Sequence, residues 1–350
     1  MSAPGLDIRL ELDVSSAEET LRLLGGKGGN PLAAASLRGN LLAAATTALL
    51  TGRYLGREDL ARDLGAVRDG HTPAEDPFGL VSARGIRGEM ELLVRELRRR
   101  NFTRSVALTL EGLFPPGART QVSFPVYAVV FGPPSITAFV CRVEWEDGVP
   151  RFGDRGEPTV VLNLARTARP AAGAEEMFRE TLGVVCHEVF HAVFAAYQDS
   201  SPVWQAWFGK GRRGVEELMA LVQNEGIAYA LSLEQTHGAE PGPAWERRAR
   251  ESFKVLNAAL LELEDPSTTP RRREALLRAA NTSEFLQSYG AVAGMFMARR
   301  IERAGTRRAI ARTIAEGPLG FWGEYLRCAR AEPGLPLPAE PVMRRLDERP

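Results

Sequence analysis

Two histidines four residues apart, with a glutamate directly after the first, give the chain its most distinctive chemistry: His187-Glu188-Val189-Phe190-His191. On an α-helix, residues four apart lie on one face, so both imidazoles can reach the same metal ion. The Glu188 carboxylate can then take a proton from water activated by the metal without being a ligand. The sequence therefore predicts a Zn²⁺ site with His187 and His191 as ligands and Glu188 as general base.

The residues around this motif are strongly apolar, which predicts a buried helix over residues 174–197. An alternative is that the two histidines and the glutamate form a satisfied polar cluster inside the core. Burying these groups without a cation costs several kcal/mol, whereas a metal ion removes that cost and uses all three groups. The chain has only four histidines in 350 residues, so a chance match to the motif is rare. Metal ligation is therefore favoured.

Catalytic zinc usually has three protein ligands and one open position. A third histidine six residues after His191 is excluded, because that position holds Tyr197. His71 lies in a polar loop and His237 follows a predicted helix, so a surface position is favoured for both. Glu225 is the better candidate, because it lies in an apolar helical stripe where a lone carboxylate needs a cation. An ion pair between Glu225 and a distant arginine is the alternative.

Composition and charge narrow the function classes. Hydrophobic residues make up 44% of the chain, charged residues 25%, and the formal net charge is zero. These values are typical of a soluble globular protein and give no electrostatic signature of nucleic-acid or membrane binding. The three cysteines are far apart and predict no disulfide framework. We expect a soluble, cytoplasmic protein with a peptide or protein substrate, and leave the oligomeric state and a removed export signal open.

The hydrophobic periodicity predicts an α+β fold that is predominantly helical. Period-two patterns predict strands at residues 6–13, 122–131, 136–145 and 159–164. Helical patterns predict helices at residues 15–25, 31–51, 57–64, 89–100, 174–197, 215–233, 244–263, 271–280, 284–304 and 321–330. The predicted regions are a mainly helical N-terminal region (1–115), a catalytic core with the small sheet and metal helices (116–240), a C-terminal helical region (241–332) and a Pro-rich tail (333–350).

His187-Glu188-x-x-His191, followed by Glu225 in Asn224-Glu225-Gly226, resembles the gluzincins, zinc peptidases with two histidine ligands and a downstream glutamate. More narrowly, the chain resembles bacterial zinc-dependent peptidases of undefined physiological role, over most of its length. That likeness includes the segments Tyr289-Gly290-Ala291-Val292-Ala293-Gly294-Met295 and Ile301-Glu302-Arg303. The resemblance implies a zincin-like fold, in which a small sheet precedes the motif helix and the C-terminal half is helical.

The chain departs from thermolysin-like gluzincins at one position. In those enzymes an aspartate four residues after the third ligand orients the first histidine, whereas this chain has Tyr229 there. Another group must therefore hold His187 in the right tautomer. Gly226, directly after Glu225, permits close packing at the metal.

The chemistry expected of the complete site is hydrolysis of a peptide bond, with Glu188 passing its proton to the departing amine. The oxyanion needs a donor, for which Tyr289 is preferred over Tyr229 and His237. The alternative for Tyr289 is an aromatic residue packed between helices. An extended peptide could add to an exposed edge of the strand at residues 159–164. Two other functions stay open: a catalytically idle zinc-binding scaffold, and a zinc hydrolase of a non-peptide amide.

Overall fold

The computed structural model describes residues 6–118, 120–132, 136–153, 155–209, 214–237, 243–282 and 285–348, without the side chains of residues 235–237 and 243. Within these residues the fold is α+β and predominantly helical, as predicted. The strands are β1 (Asp7–Asp13), β2 (Gln121–Val129), β3 (Ala138–Glu146), β4 (Val149–Phe152) and β5 (Glu157–Asn163). The helices are α1 (Ser15–Leu24), α2 (Pro31–Ala35), α3 (Arg38–Thr51), α4 (Arg57–Arg68), α5 (Leu80–Gly85), α6 (Arg87–Arg99), α7 (Phe102–Glu111), α8 (Leu164–Thr167), α9 (Ala174–Ser200), α10 (Pro202–Gly209), α11 (Val215–His237), α12 (Pro243–Glu264), α13 (Pro270–Ala280), α14 (Tyr289–Ala331) and α15 (Glu340–Asp347).

The strands form one mixed five-stranded sheet in the order β1-β2-β5-β3-β4. β2 and β5 are parallel, with Val126 opposite Val160, while β3 runs antiparallel to β5 with Phe139 opposite Val161. The prediction that residues 159–164 form an exposed edge is therefore wrong, because β5 lies between β2 and β3. Its residues from Thr159 to Asn163 are all buried, which is typical of a strand covered on both faces.

Most predicted helices are confirmed to within a few residues, including the motif helix. The segment predicted as one helix over residues 31–51 is divided into α2 and α3 at Ser36 and Leu37. The prediction at residues 284–304 begins at Glu284, which lies outside the described residues; the helix itself begins at Tyr289. The sequence did not predict β4, α5, α7, α8 or α15, most of which are short and carry little periodic signal. The two helices predicted at residues 284–304 and 321–330 are parts of the single kinked helix α14.

The chain divides into two compact units, each discontinuous in sequence. The sheet unit comprises Ile8–Ala107 and Val122–Ala192, and the helical unit comprises Met1–Asp7, Leu108–Gln121 and Val193–Pro350. The division falls within α9, so this one helix contributes residues to both units. The four regions predicted from the sequence are continuous stretches, and their boundaries stay a prediction.

The sheet unit has its core around the centre of the sheet. Val126 of β2 and Val160 of β5 are completely buried, as is Phe131 just after β2. The Phe131 ring packs edge-on against Phe78, with ring centroids 5.8 Å apart. Gly39 allows α3 to lie close to β2, because a Cβ there would be 3.2 Å from the Cβ of Tyr127. The burial of these apolar side chains stabilises the strands that precede the motif helix.

The helical unit is built around α14, which is kinked. The backbone of α14 is non-helical at Gly305, Thr306 and Gly317, and Pro318 follows the last of these. Proline has no N–H to donate to the Ile314 carbonyl one turn earlier, so that oxygen needs another partner. The indole nitrogen of Trp204 in α10 donates to it at 2.8 Å. A neighbouring helix thus satisfies the backbone group that the kink leaves open.

The neighbouring Thr313 carbonyl is satisfied in the same way. Gln223 of α11 is completely buried and donates from Nε2 to this oxygen at 3.0 Å. Trp322, in the last part of α14, donates its indole N–H to the Met219 carbonyl of α11 at 3.2 Å. Hydrogen bonds in both directions therefore link α11 and α14. They hold α11 in place immediately before the position of Glu225.

The predicted Pro-rich tail contains α15 and packs on the helical unit. Tyr325 donates its hydroxyl proton to the Pro336 carbonyl at 2.8 Å, and Asn257 of α12 donates to the Leu337 carbonyl at 2.9 Å. Across the described part of the chain, none of the helices has both the length and the apolar character that crossing a bilayer requires.

Candidate metal centre

The motif helix α9 presents its chemistry on a half-buried stripe. Val184, His187, Glu188 and His191 are all partly exposed, and they recur at a spacing of three or four residues. The residues between them are buried, including Val185 with no exposed surface. The predicted buried helix is therefore partly exposed on this one face. The motif is thus accessible from solvent on this face.

The two histidines point their ring nitrogens at one another. Nε2 of His191 lies 3.0 Å from Nε2 of His187, and the two ring planes are inclined at 85°. Zn–N bonds are about 2.0–2.1 Å long, so a single zinc ion can reach both nitrogens across this separation. Ligation through Nε2 leaves Nδ1 of each ring for the groups that orient it.

Glu225 completes a cluster of three groups of the ligand type. One ligand atom from each of His187, His191 and Glu225 lies within 4.8 Å of the others. Glu225 is 9% exposed, so its carboxylate belongs to the buried stripe of α11. Two imidazole nitrogens and one carboxylate oxygen form the donor set of many catalytic zinc sites, with a fourth position left for water. The residues present fit a zinc ion.

The helix that carries Glu225 packs against α14 at backbone distance. A Cβ built on Gly226 would lie 2.6 Å from the Cα of Gly294 and closer still to its carbonyl group. A Cβ on Gly294 would lie 3.0 Å from the Cα of Gly226 and would overlap the Val222 carbonyl oxygen. Contacts this short do not occur for real side chains, so both positions require glycine. The sequence predicted close packing at Gly226 but did not identify Gly294 as its partner.

The structure accounts for the Tyr289 hydroxyl in a different way from the predicted oxyanion role. Tyr289 is 7% exposed and donates its hydroxyl proton to the Leu276 carbonyl of α13 at 2.8 Å. Burial raises the pKa of this phenol above its ordinary value, so the group stays protonated and the hydrogen bond persists. This arrangement favours the alternative of an aromatic residue packed between helices.

A Tyr289→Phe variant tests the two roles. If the hydroxyl is only structural, the variant should keep kcat for peptide hydrolysis within about threefold of wild type. Its free energy of unfolding should fall by about 0.5–1.5 kcal/mol, the contribution of one hydrogen bond. If the hydroxyl donates to the oxyanion, kcat should fall by about 10²- to 10³-fold. We expect the first result, measured by steady-state kinetics and urea unfolding. A large fall in kcat at unchanged stability would restore the catalytic role.

The remaining candidate residues from the sequence are His71, His237 and Tyr229. His71 is exposed in the segment after α4. His237 is the last residue of α11, and its side chain lies outside the described part of the chain. Tyr229 lies one turn after Glu225 and stacks on Phe285, with ring centroids 4.1 Å apart. No sequence pattern indicates the roles of Gln223 and Trp204, because their partners are backbone carbonyls far along the chain.

The family described as "Putative zinc dependent peptidase (DUF5700)" matches residues 79–334. The chain belongs to this family. The DUF5700 match extends from α5 to the end of α14 and includes His187, Glu188, His191 and Glu225. No curated protein and no solved structure matches the chain.

Proposed function

We propose that the protein is a zinc-dependent metallopeptidase of the gluzincin kind, with a zincin-like core. His187, His191 and Glu225 are its zinc ligands and Glu188 is its general base. The observation that carries the proposal is the convergence of one ring nitrogen from each histidine and one carboxylate oxygen within 4.8 Å, on a motif face that is partly exposed. Membership of a family described as zinc dependent peptidases supports the same reaction.

Each residue has a distinct task in this proposal. Zinc, when bound, makes water nucleophilic near neutral pH and polarises the substrate carbonyl. Glu188 stands directly after the first ligand on the same partly exposed stripe, so its carboxylate can accept the proton of the attacking water. It then returns that proton to the departing amine, which leaves as a neutral group. The helix holds His187 and His191 one turn apart, so neither ring has to be ordered during the reaction.

Removal of the third ligand tests the metal site. We expect wild-type protein to bind one zinc ion per chain, and chelation to abolish peptide hydrolysis until one equivalent of zinc is returned. Glu225→Ala should weaken zinc affinity by about 100-fold or more, since even groups that only orient a ligand contribute 10- to 100-fold. Competition with a chromophoric chelator measures this affinity.

Glu217 provides the matched control, because it is an exposed glutamate on the same helix. Glu217→Ala should bind zinc as tightly as wild type. Equal zinc affinity in the Glu225→Ala and Glu217→Ala variants would contradict the proposed ligand set. Zinc binding without hydrolysis of any peptide would instead favour the scaffold or the non-peptide amide hydrolase.

A further inference from the structure

Three aromatic side chains form a stack beside the candidate metal centre. Tyr229 of α11 packs on Phe285 with ring centroids 4.1 Å apart and planes inclined at 28°. Phe285 in turn packs on Trp245 of α12, with centroids 5.8 Å apart and planes inclined at 19°. The three rings are therefore nearly parallel. We call these residues, Tyr229, Phe285 and Trp245, the aromatic stack.

The stack begins on the face of α11 that carries Glu225. Tyr229 follows Glu225 by four residues, so their side chains are neighbours on one face of the helix. Four residues advance the helix by about 6 Å, which is close to the length of two residues in an extended peptide. A substrate held at the metal centre therefore has its next one or two side chains within reach of the stack.

The stack is partly open to solvent, unlike the aromatic core of the same unit. Tyr229, Phe285 and Trp245 are each partly exposed, whereas Trp204 and Trp322 are completely buried. Both buried tryptophans donate their indole N–H to backbone carbonyls. No group among the described residues accepts a hydrogen bond from the Trp245 indole. The stacked faces cover one another, so the solvent-exposed remainder of the three rings is the aromatic surface that a ligand can contact.

We propose that the aromatic stack binds an aromatic or large apolar side chain of the substrate, one or two residues from the bond that is cut. The inference rests on the proposed peptidase function and adds the substrate class to it. Aromatic rings bind such side chains through apolar burial and through stacked or edge-to-face contacts. Small and acidic side chains gain neither contribution, so the stack determines specificity rather than the rate of bond cleavage.

The first test uses wild-type protein and blocked hexapeptides that differ by phenylalanine or serine at a single position. We expect kcat/KM to be about 10- to 100-fold higher with phenylalanine at one position flanking the scissile bond, because burying its side chain favours binding by that ratio. Phe285→Ala should reduce this preference below about threefold, because kcat/KM falls far more for the phenylalanine peptide than for the serine peptide. Circular dichroism confirms that the variant is folded.

Phe208 supplies the control, because it is a half-exposed aromatic residue stacked on Trp204 in the same unit. Phe208→Ala should keep the full preference for phenylalanine. The proposal is overturned if wild-type protein shows no preference for aromatic residues at any flanking position. It is also overturned if Phe285→Ala lowers kcat/KM equally for both peptides, as a purely structural residue would.

A binding experiment separates this inference from the proposed function. The Glu188→Gln variant is titrated with the two hexapeptides, and the tryptophan fluorescence is followed with Trp245→Phe as the reference for the Trp245 signal. Binding at least tenfold tighter for the phenylalanine peptide, and lost in Phe285→Ala, supports the stack even if no peptide is hydrolysed. Equal affinity for both peptides overturns the stack even if hydrolysis is observed.

Discussion

Replacing Glu188 with glutamine should lower kcat for peptide hydrolysis by about 10²- to 10⁴-fold while the zinc content stays at the wild-type value. Glutamine keeps the size and the hydrogen-bonding capacity of the side chain but cannot take a proton from water. The cluster of ligand-type groups consists of His187, His191 and Glu225 and does not include Glu188. The two measurements are initial rates on a peptide substrate and zinc by atomic emission.

Glu176→Gln is the matched control for this variant. Glu176 lies on the same helix, is exposed, and forms a surface ion pair with Arg169 at 3.3 Å. Surface pairs of this kind contribute about 0–1 kcal/mol, so neither activity nor zinc content should change. Loss of zinc from Glu188→Gln together with activity would show that Glu188 is a ligand or a structural group, and would contradict its assignment as the base.

The same variant separates the peptidase from its two rivals. A zinc-binding scaffold has no hydrolytic activity for Glu188→Gln to remove, and its zinc content is also unchanged. A hydrolase of non-peptide amides loses activity in the variant, but wild-type protein then prefers acylated amines over peptides. Parallel assays on both substrate classes therefore assign the reaction, while the zinc measurement reports on the ligands alone.

The three residues of the ligand-type cluster could be named from the sequence because each stands out through short spacings. His187 and His191 lie one helical turn apart, and Glu225 stands out as the carboxylate within an apolar stripe. The histidine spacing and the apolar stripe around Glu225 are both local patterns, so they can be recognised whatever the fold of the rest of the chain. The convergence of the three groups does not follow from the sequence, since spacing along the chain does not determine the distance between two helices.

The structural features that the sequence did not predict are contacts between residues far apart in the chain. β5 was interpreted from its order along the chain, whereas its place between β2 and β3 follows from pairing that periodicity does not reveal. The Ile314 carbonyl loses its helical partner at Pro318, but nothing in the local sequence indicates that Trp204 replaces it. The hydrogen bond from the Tyr289 hydroxyl to the Leu276 carbonyl likewise joins residues of two different helices, which the local sequence does not reveal.

The crossing of α11 and α14 leads to the second large expected effect. Gly226→Ala should weaken zinc affinity by about 10- to 100-fold, the range found when a group that positions a ligand is lost. The new methyl group has no room beside Gly294, so α11 must move, and Glu225 moves with it. A displacement of about 1 Å can lower kcat/KM by about 100-fold. Overpacking should also lower the free energy of unfolding by about 1–3 kcal/mol.

Gly294→Ala is the decisive companion to this variant. Gly294 is on the opposite side of the same crossing and is not adjacent in sequence to a proposed ligand, so any effect on zinc must act through the separation of the helices. We expect both variants to weaken zinc binding and to alter the visible spectrum of the cobalt-substituted protein. Gly88→Ala is the control, because a Cβ at that helical glycine of α6 meets no atom within 4 Å. If Gly294→Ala unfolds more easily yet binds zinc with wild-type affinity, the crossing supports the fold alone and does not position Glu225.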